Sequence, residues 1–293
     1  MSQKKIFTVD GPCGSGKTKG LVEYLCTTRL LNFKNIIIQP TKSLCRQTYN
    51  SFIEQGYRDN IFILNSDNSV TVTINVIEKI KDINKIGKGT LIITQEAYNQ
   101  LKYFPLQETW RLYIDETPAV DSEIELLIPY NTHILKEFFD VEDYNDKLYK
   151  LTFNSKNKSY TFLNRSEDKI DDIVRPLIKA IDQDNIVYTK KDSWDRIVKD
   201  RIVAQDVRIN RKFGNKKNKL YFLIINNIER YHKHKETTLL AANIKNSIFY
   251  EYGLKCGIEF IKHEHISKHL KFDKHLNGEL VTIYYMQDKR ASN

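Results

Sequence analysis

The segment that most constrains this chain joins a short apolar run to a stretch that favours a helix. It reads Gly11-Pro12-Cys13-Gly14-Ser15-Gly16-Lys17-Thr18, which follows the spacing Gly-x-x-x-x-Gly-Lys-Thr. Glycines let the backbone turn tightly, so that successive N–H groups can point at the oxygens of a polyphosphate. The helix that begins at Lys17 adds a partial positive charge at the same place. The pattern therefore predicts a phosphate-binding loop between a buried strand and a helix.

Two side chains of this loop have expected roles in binding ATP. Lys17 would reach the β- and γ-phosphates, and the Thr18 hydroxyl would be a ligand of Mg²⁺. A glycine-rich turn that matches the spacing by chance is the alternative, and the strand before the loop and the helix after it disfavour that alternative. The predicted nucleotide-binding residues are Gly11, Pro12, Cys13, Gly14, Ser15, Gly16, Lys17 and Thr18.

An acidic turn follows the apolar run at residues 110–114. Asp115 and Glu116 come directly after that run, with three strand-loop-helix units between them and the glycine-rich loop. Asp115 is expected to hold Mg²⁺ through its water shell, and Glu116 to orient the attacking water. Acidic turns are common, and the meaning of this one depends on its place after a strand and behind a phosphate loop. Lys17 and Glu116 are therefore the predicted catalytic residues, and Thr18 and Asp115 the predicted Mg²⁺ ligands.

Apolar runs along the chain predict an α/β fold with a parallel sheet. Runs typical of buried strands lie at residues 6–9, 35–39, 61–64, 89–94, 110–114, 237–240, 258–261 and 280–285. Helical patterns separate most of them, as in strand-helix-strand units. Residues 70–76 alternate weakly between apolar and polar side chains, as a strand would.

The stretch 119–235 interrupts this pattern. It is rich in Asp, Lys and Asn, lacks long apolar runs and is too long for a loop, so we expect an inserted α/β subdomain. Helices are predicted within it at residues 170–181 and 194–203, and a strand at residues 220–225. The predicted division is residues 1–118 and 236–285 for the main domain, 119–235 for the insertion, and 286–293 for a linker or the start of a further domain.

Composition narrows the class of protein and of partner. The 293 residues carry a formal net charge of +9, which fits a polyanionic partner such as nucleic acid, although solubility alone also produces basic surfaces. No apolar run approaches the roughly 18 residues of a membrane span. We expect no secretory signal, because residues 1–5 lead directly into the first predicted strand. Four scattered cysteines suit a reducing cytosol and argue against a zinc site or a disulfide framework. We therefore expect a cytoplasmic location, in the host if the protein is viral, and no membrane partner.

A basic segment at residues 208–219 has two interpretations. It contains Arg211, Lys212 and Lys216 with a single aromatic residue, Phe213. It is either a nucleic-acid contact or the solvated tip of a hairpin, and the sequence leaves both open. Three histidines further on, within residues 263–269, have no cysteine partner, and we expect no metal site there.

Taken in order, these motifs resemble those of the N-terminal, RecA-like ATPase domain of superfamily 2 helicases, of the phage DEAD/DEAH-like kind. The resemblance covers about residues 4–118 and 236–285. Residues 11–18 resemble motif I, 115–118 motif II, 40–47 motif Ia and 93–97 the motif Ib region, while 241–243 stand where motif III falls. The chain departs from the family at Pro118, and at Ala241 and Ala242 where the family usually has hydroxyl residues.

What the resemblance implies is an ATP-dependent helicase or translocase that hydrolyses ATP with Mg²⁺. In such helicases motifs Ia and Ib hold the phosphate backbone of one strand, which implies that Thr41, Lys42 and Thr94 do so here. Arg211 and Lys212 are further candidate contacts. We expect nucleic acid as the partner, with DNA favoured over RNA. A second RecA-like domain, with its arginine finger, is expected outside these residues.

Two other functions fit the same motifs. The ATPase of a DNA-packaging motor also pairs a phosphate loop with a strand that ends in Asp-Glu. An alternative from a different class of protein is a stand-alone regulatory module that binds nucleic acid under the control of a bound nucleotide.

Overall fold

The computed structural model describes residues 4–28, 30–64, 69–128, 133–154, 169–196 and 218–272. The chain separates into two compact units. The first comprises Met1–Tyr98, Phe104–Thr117 and His232–Asn293, and the second comprises Asn99–Tyr103 and Pro118–Tyr231. The predicted strand at residues 280–285 and the predicted terminal segment 286–293 lie outside the described residues, as does most of the basic segment 208–219.

Twelve strands are described and are numbered along the chain. They are β1 (Lys5–Asp10), β2 (Lys34–Gln39), β3 (Ile61–Ile63), β4 (Gly89–Thr94), β5 (Arg111–Asp115), β6 (Asp121–Ile128), β7 (Phe139–Asp143), β8 (Leu148–Phe153), β9 (Ile186–Lys190), β10 (Asn218–Ile225), β11 (Glu236–Ala241) and β12 (Glu259–Lys262).

Ten α-helices are described and follow the same convention. They are α1 (Lys17–Thr27), α2 (Lys42–Glu54), α3 (Ser69–Ile86), α4 (Gln95–Asn99), α5 (His133–Phe138), α6 (Lys169–Asp182), α7 (Lys191–Trp194), α8 (Glu229–His232), α9 (Ile248–Lys255) and α10 (Glu264–Ser267). Among these described helices, none combines the length and the apolar character that a membrane crossing requires.

The first unit is built on a seven-stranded sheet flanked by helices. Its strand order is β12-β1-β11-β5-β2-β4-β3, and every neighbouring pair is parallel. Strands with both faces covered are continuous apolar runs, and Ile36, Ile37 and Ile38 of β2 are accordingly all buried. The predicted α/β class with a parallel sheet is confirmed. Because all the strands point the same way, their carboxyl ends share one edge, where loops can form a binding site.

Strand order within this sheet determines which loops meet at that edge. β11 lies between β1, which leads into the glycine-rich loop, and β5, which ends at Asp115. Neighbouring strands are about 4.8 Å apart, so the two loops start about 10 Å from each other. Two loops that begin at this distance from each other can bind the same small ligand.

One sequence prediction in the first unit is wrong. Residues 70–76, expected to behave as a strand, belong to helix α3. The described side chains Val72, Val76, Ile80 and Ile83 are buried, at a spacing of four, four and three residues, which is the period of a helix with one apolar face. A seven-residue window is too short to separate this period from strand alternation.

The second unit contains a five-stranded antiparallel sheet in the order β6-β10-β9-β8-β7. Helix α6 contributes Val174, Leu177 and Ile178 to the apolar cluster of this unit. The helix predicted at 170–181 agrees with α6, and the strand predicted at 220–225 lies within β10. Of the helix predicted at 194–203, only the start is described: Trp194 ends α7 (Lys191–Trp194), the next two residues continue it as a π-helical turn, and residues 197–203 lie outside the described residues.

Candidate active site

The glycine-rich loop connects β1 to α1 through two left-handed residues. Gly14 has φ of +78° and Gly16, the N-cap of α1, has φ of +86°, a region that side chains other than glycine rarely adopt. The loop is anchored at its start because the Gly11 N–H donates to the Ala241 carbonyl of β11 at 3.1 Å. The local sequence therefore produces the sharp strand-to-helix turn that its glycines predict.

Lys17 lies over this loop rather than pointing into solvent. Its ammonium group donates hydrogen bonds to the carbonyls of Gly11, at 2.6 Å, and Pro12, at 2.9 Å. These hydrogen bonds place the Lys17 ammonium group beside the backbone of the loop. The same donors are available to a phosphate oxygen, which accepts strong charge-assisted hydrogen bonds.

The predicted Mg²⁺ ligands are in direct contact. The Thr18 hydroxyl donates to Oδ2 of Asp115 at 2.8 Å. Asp115 is 4% exposed, and its burial raises the pKa of its carboxyl, while hydrogen bonds from Gln39 and Thr18 and the charge of Lys17 act in the opposite direction. Mg²⁺ prefers oxygen ligands in octahedral geometry at 2.0–2.1 Å. Adjacent oxygens in that geometry lie about 3 Å apart, so a hydroxyl and a carboxylate oxygen at this separation fit such an ion.

Glu116 follows Asp115 in a strained backbone conformation. Its φ is +74°, which is unusual for a residue with a side chain, and its N–H donates to the Leu240 carbonyl at 2.8 Å. The side chain is exposed and contributes to the cleft described next. Strain of this kind is found where the surrounding structure dictates the position of a functional group.

A cleft of about 530 Å³ lies where these loops meet. All four of the predicted catalytic and Mg²⁺-binding residues, Lys17, Thr18, Asp115 and Glu116, contribute to its wall. Its lining residues are Cys13, Gly14, Gly16, Lys17, Thr18, Lys19, Leu44, Asp115, Glu116, Thr117, Ala241 and Ala242. Five of the eight predicted phosphate-binding residues thus share one cavity with the acidic turn, while Gly11, Pro12 and Ser15 do not line it. The volume is in the range of small-ligand sites.

The cysteines differ sharply in accessibility. Cys13 is exposed at the cleft, whereas Cys26 and Cys45 are buried in the core of the first unit. Burial raises the pKa of the Cys26 thiol to about 11 and that of the Cys45 thiol to about 12. The buried pair is therefore protonated and unreactive at neutral pH.

Two glutamines that the sequence analysis did not assign contact the acidic turn. Gln39, the last residue of β2, donates through Nε2 to Oδ2 of Asp115 at 2.9 Å. Gln95, the first residue of α4, donates through Nε2 to the carbonyls of Asp115, at 3.1 Å, and Glu116, at 3.0 Å. The sequence does contain a signal for these glutamines, because each stands at the carboxyl end of a predicted strand, on the edge of the sheet where the site is expected. The sequence does not reveal their contacts, since the partners are 20 or more positions away.

A segment after β12 packs against the glycine-rich loop and α1. The Lys271 N–H donates to the Ser15 carbonyl at 2.9 Å, and the Lys271 side chain passes Gly16. A Cβ added at Gly20 would lie 2.9 Å from the Cβ of His269, so this glycine gives room for the segment. No group of three or more His, Cys, Asp or Glu side chains within the described ranges is arranged to hold a metal ion.

The residues predicted to contact nucleic acid are only partly described. Thr41 is the N-cap of α2 and its Oγ1 accepts the Leu44 N–H at 3.2 Å, while Lys42 is the first residue of that helix. Oγ1 of Thr94 accepts the Ala97 N–H at 3.2 Å. Thr41 follows the end of β2 and Thr94 is the last residue of the adjacent strand β4, so both lie at the edge of the sheet that carries the cleft. Arg211, Lys212 and Lys216 lie outside the described residues.

Comparison with known proteins adds no assignment. No protein-family model matches the chain, and no curated protein matches it significantly.

Proposed function

We propose that the first unit is a RecA-like P-loop NTPase domain that binds and hydrolyses Mg-ATP, and that it acts as the motor of an ATP-dependent helicase or translocase. The hydrogen bond between Thr18 and Asp115 carries this proposal. It joins the start of the helix behind a glycine-rich loop to a carboxylate at the end of a buried strand, which is the arrangement that Mg-nucleotide hydrolysis uses.

Lys17 and the loop backbone would bind the phosphates. On binding, the Lys17 ammonium exchanges its hydrogen bonds with the Gly11 and Pro12 carbonyls for bonds to phosphate oxygens. The left-handed glycines allow the backbone N–H groups of the loop to face the same oxygens. These contacts neutralise part of the negative charge and hold the γ-phosphate in place.

Thr18 and Asp115 would hold the Mg²⁺ ion through their oxygen atoms, as the donor set permits. The ion, when bound, neutralises charge that develops on the transferred phosphoryl group. The exposed carboxylate of Glu116 would accept a hydrogen bond from the attacking water and orient it towards the γ-phosphate. Each of these groups lies in the cleft wall.

Strand order gives the bound nucleotide a direction. The γ-phosphate has to lie on the side of β5, because Asp115 and Glu116 are there. The nucleoside then extends to the opposite side of the glycine-rich loop, where β12 and residues 269–271 lie. Base selectivity would therefore depend on that side of the site.

The nucleic-acid part of the proposal depends on charge and on the two capping threonines. The net charge of +9 favours a polyanion. A hydroxyl that accepts a backbone N–H still has its own O–H to donate, so Thr41 and Thr94 can each contact a phosphate oxygen without giving up the cap. Together with Lys42, they would follow the phosphate backbone of one strand along the sheet edge.

A binding and hydrolysis assay tests the proposal. Mg-ATP is titrated into the protein, and phosphate release is followed with and without single-stranded DNA. Lys17→Ala is expected to abolish nucleotide binding. Lys88→Ala, at an exposed lysine before β4 on the opposite edge of the sheet, is the matched control and should bind as the wild type does. Wild-type protein without affinity for Mg-ATP contradicts the proposal. Binding of both ATP and single-stranded DNA without any hydrolysis favours the regulatory module.

A further inference from the structure

Gln39 is a buried polar side chain with an incomplete set of partners. It is fully buried, and its Nε2 donates both to Oδ2 of Asp115 and to the Thr48 hydroxyl, the latter at 2.8 Å. Its Oε1 is buried and has no hydrogen-bond partner within the described part of the chain. A buried polar atom left without a partner lowers stability, so packing alone does not explain a glutamine here.

Gln95 contacts the same turn through the backbone. One amide nitrogen donates to two successive carbonyls, those of Asp115 and Glu116. Because Glu116 has a strained backbone, a side chain that holds both carbonyls fixes the direction of its carboxylate. The other neighbouring strand, β11, accepts the Glu116 N–H through the Leu240 carbonyl, and the next two residues, Ala241 and Ala242, line the cleft with side chains that cannot form hydrogen bonds.

Both glutamines also connect to the helices whose first turns are predicted to contact nucleic acid. Thr48, which accepts from Gln39, lies on α2, the helix that Thr41 caps. Gln95 directly follows Thr94 and begins α4. A shift of either helix start on binding a polyanion would therefore be passed to the acidic turn through one side chain.

We propose that Gln39 and Gln95 are positioning residues, which hold the Asp115–Glu116 turn in the geometry needed for hydrolysis and connect it to helices α2 and α4. The inference depends on the proposed function, since it concerns hydrolysis at the same cleft. Gln39 fixes the carboxylate of Asp115, and Gln95 fixes the backbone that carries Glu116. Neither side chain touches the reacting atoms.

The physical effect expected is on rate rather than on binding. The phosphates bind mainly through Lys17 and the loop backbone, which neither glutamine contacts. Catalytic groups work only within a narrow range of positions, and a misplacement of about 1 Å costs on the order of 10²-fold in rate. Removal of the amide donors should therefore lower turnover while leaving the affinity for Mg-ATP nearly unchanged.

Methionine substitutions test this inference. Gln95→Met and Gln39→Met keep the length of the side chain and remove its hydrogen-bond donors. With protein in excess over Mg-ATP, each variant should hydrolyse bound nucleotide at least about tenfold more slowly than the wild type. Their Kd for Mg-ATP should remain within about twofold. Gln55→Met, at an exposed glutamine that follows α2, is the matched control and should keep the wild-type rate.

A second measurement separates positioning from a general loss of structure. Thermal unfolding of Gln95→Met should occur near the wild-type temperature, and an oligothymidylate of about 20 nucleotides should accelerate hydrolysis by the wild type but not by the variant. Wild-type rates in both glutamine variants overturn the proposal. So does a lower unfolding temperature with weaker binding and an unchanged rate at saturating nucleotide, because that pattern indicates a structural role alone.

The outcome for the proposed function is read separately. If wild-type protein binds no Mg-ATP, or if Lys17→Ala binds it equally well, the proposed function fails before any glutamine variant is compared, and this inference fails with it. If the wild type hydrolyses ATP and single-stranded DNA does not change its rate, the proposed connection to α2 and α4 is wrong. The hydrolysis rates of the two glutamine variants without DNA still decide whether the glutamines position the turn.

Discussion

Thr18 and Asp115, which are 97 positions apart in the sequence, are joined by a hydrogen bond of 2.8 Å from the threonine hydroxyl to the carboxylate. Thr18 belongs to the first turn of α1, the helix that follows β1, and Asp115 ends β5. Strand β11 lies between β1 and β5 in the sheet. The contact therefore depends on β11 lying between β1 and β5 in the sheet. It brings together the two oxygen donors expected to hold a divalent cation.

Removal of the Thr18 hydroxyl should separate stability from cation binding. Thr18→Val keeps the shape of the side chain, and the buried Asp115 carboxylate loses one donor, which should cost about 1–3 kcal/mol of unfolding free energy. The unfolding temperature should fall, and added Mg-ATP should raise it much less than in the wild type, because ligand stabilisation follows affinity. Thr27→Val, at an exposed threonine at the end of α1, provides the control. Equal stabilisation of Thr18→Val and wild type by Mg-ATP contradicts the assignment of Thr18.

Alkylation of Cys13 should block nucleotide binding. Cys13 is exposed in the cleft wall, whereas Cys26 and Cys45 are buried with raised pKa values. Iodoacetamide should therefore label Cys13 far faster than the buried pair, and saturating Mg-ATP should protect it. Peptide mass spectrometry after timed labelling measures both effects. Labelling of Cys13 at one rate with and without nucleotide would argue against a phosphate in this loop.

Hydrolysis by the chain of 293 residues should be slow. The described lining of the cleft contains the lysines Lys17 and Lys19 and no arginine. An arginine finger contributes about 10³–10⁵ to the rate of phosphoryl transfer. Glu116→Gln should keep Mg-ATP binding and remove the residual hydrolysis, because the amide cannot accept the proton of the attacking water.

Phosphate release under single-turnover conditions, with the wild type and Glu116→Gln side by side, checks this expectation. Glu251→Gln, at an exposed glutamate on α9, is a control of the same chemistry away from the cleft. A residual rate in Glu116→Gln equal to that of the wild type would remove Glu116 from the mechanism.

Binding of a single strand should be governed by phosphates. Affinity should fall steeply with salt and depend little on base sequence, as expected where backbone contacts dominate. Lys42→Ala should weaken binding to all strands alike and reduce the slope of log K against log salt by about one. Fluorescence anisotropy with labelled homopolymers at several salt concentrations measures this. An effect of Lys42→Ala on one sequence only would indicate base readout instead.

How far the sequence predicts the structure depends on the kind of signal. Strands β2 and β4 are apolar runs with both faces covered, and their positions could be read directly. Strands β6 and β8 could not, because in β8 buried Tyr149 and Leu151 alternate with more exposed residues and no continuous apolar run results.

The acidic turn shows the same limit at the site. The sequence predicts Asp115 and Glu116 because the types and order of these residues after an apolar run are informative. The contact from Gln39 to Asp115 spans 76 positions and depends on strand order, which a sequence alone does not give.

His263 is buried where β12 meets α10, and its titration should make the stability of the protein depend on pH. Its Nδ1 accepts the Ile266 N–H at 3.2 Å, and its ring contacts those of Phe7 and Tyr24. Burial lowers the pKa of His263 below its usual 6.5; its own backbone opposes this, and the neighbours His265 and Glu264 lower and raise that pKa respectively. Near pH 6.5 and below, the unfolded chain therefore takes up a proton on this histidine more readily than the folded chain does. The contribution of His263 to the unfolding free energy should decrease as pH falls below about 6.5 and should not change above it. His263→Asn keeps a side chain that can cap α10 and removes the titration. Denaturant unfolding between about pH 7.5 and pH 5.5 should show a smaller loss of stability in His263→Asn than in the wild type, and equal losses would show that His263 does not titrate across folding.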